Sequence, residues 1–183
     1  MIKINKMTMP ELASYVCQQL QNNNINVVLS GGSCVEIYSQ GDYTSYDIDL
    51  VNRYNETFFK IKKIMESLGF KEEGKYFTYP DTKFFIEFPS GPLGVGDACV
   101  KDINELRTSF GILKLLTPTD CVKDRLAAYY HWDDQQSLVQ AVWVSQKNYV
   151  NFDNLQKWSE LEKSIEKYNN FLNILKEKEE EKN

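Results

Sequence analysis

Two aspartates, Asp47 and Asp49, stand two positions apart in the apolar segment from Tyr46 to Val51. Strand side chains alternate faces, so this spacing sets both carboxylates side by side while Ile48 and Leu50 turn to the core. Asp is disfavoured in strands. Two adjacent carboxylates also repel unless they are protonated, hydrogen-bonded or bridged by a cation. Their hard oxygens suit Mg²⁺ or Mn²⁺. Upstream, Gly31-Gly32-Ser33 follows the short apolar run Val27-Val28-Leu29. At a helix start such a turn presents free backbone N–H groups to a phosphate. The glycines allow close approach and the Ser33 hydroxyl can donate. The plainer role for the same residues is a tight turn with an N-cap. A phosphate cradle and a cation-binding pair on adjoining elements point to phosphoryl or nucleotidyl transfer.

The order strand, Gly31-Gly32-Ser33, helix, then a strand with Asp47-Ile48-Asp49 resembles the signature of the nucleotidyltransferase superfamily, whose fold is like that of DNA polymerase β. The resemblance implies a third carboxylate on a later strand. Glu87 in Phe84-Phe85-Ile86-Glu87-Phe88 is the candidate, as a third metal ligand or as base toward an acceptor hydroxyl. An edge-strand charge is the alternative. The stretches Leu116 to Asp120, Arg125 to Ala128 and His131 to Asp134 are similar to small bacterial nucleotidyltransferase-like proteins related to abortive-infection toxins and toxin–antitoxin systems. Those relatives carry a lysine in the comparable helix, where this chain has Arg125. Either Lys123 or Arg125 reaches the triphosphate, the other pairing with Asp120 or Asp124. The resemblance implies a nucleoside triphosphate substrate, an RNA, protein or small-molecule acceptor and a toxin or antitoxin partner.

These residues must be held by a sheet with helices on it. The expected class is α/β (α+β): a mixed nucleotidyltransferase-type sheet flanked by helices, with a C-terminal helical subdomain. The division falls near residue 116, giving a core of 1–116 and a helical region of 117–183. Residues 8–23 predict a first helix, capped by Thr8, with Pro10 in its first turn and an apolar stripe of Leu12, Val16, Cys17 and Leu20. Strands follow at Asn26 to Leu29 and Tyr46 to Val51, then a helix from Glu56 to Leu68 with Phe59 on its apolar face and Gly69 past its end. A hairpin or a short strand with a turn at Glu73-Gly74 is expected over Phe70 to Tyr79, a strand over Lys83 to Phe88, and short strands near Ala98 to Lys101 and Ile112 to Leu115. The Gly- and Pro-rich loop 89–97 is either a wall of the site or a tight connection. Thr117 and Pro118 open a helix to Trp132. A second helix runs from Asp133 to Lys147, a third from Leu155 to Lys176, and the charged tail from Lys176 frays.

Composition bounds the rest. The 183 residues are 42% hydrophobic and 26% charged, enough for one core. A net charge of −5 argues against general nucleic-acid binding. With one histidine and four cysteines but no CxxC pair, neither a zinc site nor a disulfide framework is expected. The cysteines read as buried or half-buried. With no signal-peptide core and no bilayer-length apolar run, a cytoplasmic protein without membrane association is expected.

Overall fold

A computed structural model describes residues 3–54, 57–96 and 98–181. Its frame is a seven-stranded mixed sheet, ordered β3-β4-β5-β2-β1-β9-β8. β1 (Val27–Ser30) is buried along its whole length and lies between β2 (Asp47–Asn52) and β9 (Gly111–Leu116). It runs antiparallel to β2 and parallel to β9, while β2 is parallel to β5 (Phe85–Glu87). The hairpin of β3 (Lys71–Glu73) and β4 (Tyr76–Thr78) forms as expected and pairs onto β5. Mixed α/β architecture, expected from the sequence, is therefore observed.

Helices cover the sheet. α1 (Met9–Gln21) begins where the Glu11 carboxylate accepts the Thr8 backbone N–H at 2.8 Å. Its stripe of Leu12, Val16, Cys17 and Leu20 is buried against β9 and β1. α2 (Gly31–Ser39) follows β1 without a loop, and α3 (Phe58–Ser67) packs near β3. α4 (Pro118–Trp132) opens as predicted, with the Thr117 hydroxyl accepting the Asp120 N–H at 3.1 Å. α5 (Gln135–Lys147) is capped by Asp134 and packs on both α2 and α4.

Several expectations are corrected. The segment Ala98–Cys99 (β7) leaves the main sheet and pairs with β6 (Gly94–Val95) as a separate two-stranded unit. The edge is instead β8 (Ile103–Thr108), which the sequence hides: its residues are largely polar and none is fully buried. The expected strand over Lys83 to Phe88 pairs only at Phe85–Glu87. The predicted helix beyond Leu155 is two helices, α6 (Phe152–Leu161) and α7 (Ile165–Glu180). Lys163 adopts a left-handed φ of 54° between them, a break unmarked by Gly or Pro. α7 also continues past the expected start of fraying. Phe59 is 63% exposed rather than on the packed face of α3, and the predicted start of that helix at Glu56 lies outside the described residues. Cys17, Cys34 and Cys121 are buried, but Cys99 is exposed.

Candidate active site

The two central strand registers assemble the site. In β1 and β2, Ser30 faces Asp49; in β2 and β5, Asp47 faces Phe85 and Asp49 faces Glu87. Asp49 and Glu87 are thus neighbours on one face, while Ile48, Leu50 and Ile86 are fully buried on the other. β5 lies between β4 and β2, so Glu87 does not sit on an edge strand. Asp47 occupies the same face as Asp49 but at the exposed start of the strand.

Gly31 fits against this pair because it lacks a side chain. Its φ is +63°, and a Cβ there would stand 2.0 Å from Asp49 Oδ2. Gly32 faces Tyr43 and Ser45, whose atoms lie 3.2 Å from where its Cβ would be. The Ser33 hydroxyl, fully buried, donates to the Asp47 backbone carbonyl. Ser45 Oγ donates to the same carbonyl at 3.0 Å. Ser33 therefore anchors the start of the acidic strand, with its hydroxyl donor already engaged.

Asp49, Glu87 and Gly31 open into a cavity of about 350 Å³ together with Asp124 and Arg125 of α4. Pro89, Ser90, Pro92, Leu93 and Gly94 also line it, so the loop after β5 is a wall of the site. Arg125 donates from Nε to Asp124 at 3.0 Å and from Nη1 to Gln140 at 3.4 Å. Asp47, Gly32, Ser33 and Lys123 do not line this cavity. Lys123 instead pairs with Asp120 at 3.1 Å and faces a different cavity. Of the two α4 cations singled out from sequence, Arg125 is the one at the acidic pair.

The electrostatics are those of a negative site held partly out of water. Burial, then the charge of Glu87, then that of Asp124 push the Asp49 carboxyl up from its ordinary 3.8 to about 6, with Arg125 opposing. The exposed Lys75, in the β3–β4 turn, meets Glu87 at 2.8 Å. Sequence reasoning missed Lys75, which the hairpin carries to the site without any motif. It treated Asp124 only as a partner for a cation, although the residue shares the cavity.

Asp49 and Glu87 supply hard oxygen donors of the kind Mg²⁺ and Mn²⁺ take. Among the described residues no group of three His, Cys, Asp or Glu is placed to hold a metal ion. Two carboxylates would leave the remaining positions around such an ion to other donors.

The fold is shared with a solved nucleotidyltransferase-like protein. The chain is similar to the crystal structure of an antigenic nucleotidyltransferase-like protein from Paracoccidioides brasiliensis, at 15% identity and a TM-score of 0.53, covering 87% of this chain and 94% of that one. The solution structure of the antibiotic-resistance factor ANT(2'')-Ia is also similar, at 13% identity and a TM-score of 0.44, over 81% of this chain and 91% of that one. No family model matches the chain, and no curated protein matches its sequence.

Proposed function

We propose that the protein is a metal-dependent nucleotidyltransferase that moves a nucleoside monophosphate from a nucleoside triphosphate to a hydroxyl acceptor. The observation that carries this reading is the juxtaposition of Asp49 and Glu87 across β2 and β5, with Gly31 packed on Asp49 and Arg125 in the same cavity. Asp49 and Glu87, with Asp47 two residues before Asp49 on the same face of β2, would hold Mg²⁺ or Mn²⁺; the ion when bound would neutralise charge on the triphosphate. Gly31 and the start of α2 accept the phosphates against the backbone. Arg125 offsets negative charge that develops on the reacting phosphate. Glu87 takes the proton of the acceptor hydroxyl as the new O–Pα bond forms and the Pα–O bond to pyrophosphate breaks.

The acceptor class is an RNA end, a protein side chain or a small molecule. The sequence likeness of residues 116–134 to abortive-infection relatives favours a setting in toxin–antitoxin or phage-defence biology, with a toxin or antitoxin partner. The test is incubation with labelled nucleoside triphosphates, Mg²⁺ and total RNA or lysate. Transfer is expected with the native chain and lost in Asp47→Ala/Asp49→Ala. Absence of transfer to any acceptor class overturns the enzymatic reading.

A second reading is a nucleotidyltransferase-like module that binds nucleotide or a partner protein without turnover. The engagement of Ser33 by the Asp47 carbonyl and of Glu87 by Lys75 favours it. Nucleotide binding without label transfer would support it.

A further inference from the structure

We propose that the chain carries a second binding site, for a phosphate-bearing small molecule, in a cavity of about 490 Å³ bounded by α4, α6 and β7. The central observation is Lys123. Its side chain lines this cavity and the residue is only 9% exposed. A buried ammonium is costly unless its three donors are met. One bond goes to Asp120 at 3.1 Å, and no other acceptor reaches it among the described residues. Asp120 is itself shared, taking the Thr117 hydroxyl at 3.0 Å on its other oxygen.

Two further lysines, Lys101 and Lys157, line the same cavity, and neither has a carboxylate partner among the described residues. Three lysines against Asp102 and Asp120 leave the cavity net positive in a chain of net charge −5. The first turns of α4 and α6 open onto the space through Thr119 and Asn154, adding partial positive charge. An anion with several acceptor oxygens answers these unmet donors. The volume exceeds what a bare phosphate fills, and amide and hydroxyl side chains share the remainder with Cys99, Trp158 and Leu161, which points to a phosphate ester of a small organic molecule.

This site does not depend on the transfer chemistry, yet it shares walls with the acidic cavity. Gly94 of the β6–β7 hairpin faces that cavity, whereas Ala98 and Cys99 face this one. On α4, Asp124 and Arg125 face one cavity, and Asp120 and Lys123 the other.

The experiment is calorimetric titration of the full chain, without divalent metal, using inorganic phosphate and ribose 5-phosphate as probes. Saturable binding is expected, tighter for the ester. It should weaken at least tenfold in Lys101→Ala/Lys157→Ala, whose exposed positions leave the fold intact by circular dichroism, and stay unchanged in Arg125→Met, which removes the arginine of the acidic cavity. Lys123→Met, checked for folding in the same way, should weaken it as well. No saturable binding of either probe overturns the proposal. So does binding that survives the double substitution, or binding lost in Arg125→Met, which would assign the anion to the acidic cavity.

Discussion

Asp49 is the residue on which the local energetics turn. Its folded carboxyl titrates near 6 against an ordinary 3.8, mainly because it is buried and then because Glu87 stands beside it. The unfolded chain therefore releases this proton first as pH rises. Stability from the neutral form is complete below pH 3.8 and is lost as pH climbs through about 6. Asp49→Asn should raise the stability of the metal-free protein at pH 7.5 by about 1–3 kcal/mol while abolishing metal uptake. Chemical denaturation across pH 4 to 8 checks the first part, with the variant's advantage vanishing toward the acid end. Metal affinity of the native chain should fall below about pH 6, where a proton competes for the same oxygens. Gly31 is the steric complement. Gly31→Ala places a methyl 2.0 Å from Asp49 Oδ2 in a left-handed backbone conformation, and should cost roughly 1–3 kcal/mol. Equilibrium unfolding measures this, and an unchanged midpoint would contradict the close approach.

Among the elements, α4 joins sheet to helical region and contributes Asp124 and Arg125 to the acidic cavity. Its start rests on Thr117, whose hydroxyl accepts from the Asp120 backbone. Thr117→Ala should lower stability by about 1 kcal/mol, or about 2–4 °C in melting temperature for a chain of this length. Differential scanning calorimetry reads the shift. The capped starts of α1 and α4 were legible because Thr followed by Pro two positions later in one case, and at once in the other, carries a local backbone reason. The break between α6 and α7 was not, since Lys163 adopts its left-handed φ without the help of glycine. β8 was hidden for a related reason: an exposed edge strand selects polar residues, which erases the alternation by which strands are found.

For the whole molecule, ligand binding and folding are linked. A nucleoside triphosphate with Mg²⁺ present at a hundred times its dissociation constant should stabilise the chain by about 2.7 kcal/mol. At about 2–4 °C per kcal/mol the melting temperature should rise by about 5–10 °C. Asp49→Ala/Glu87→Ala should show no such rise, and an equal rise in that variant would place the nucleotide elsewhere. Among the described residues no helix is long and apolar enough to cross a membrane.

The residues that matter most to the acidic site were readable in order along the chain. Period-two alternation put Asp47 and Asp49 on one face and Ile48 and Leu50 on the other, and that alternation is a local property of any strand. Whether Glu87 joined them depended on which strand β5 chose as neighbour and in what register. Pairing between strands some forty residues apart is set by the packing of both faces of the sheet, with no signature inside either segment. The same holds for Lys75, brought to Glu87 by a hairpin, and for the division of Lys123 and Arg125 between two cavities. A helix's spacing separates such side chains by angle, but only the neighbours packed around α4 decide what each one meets.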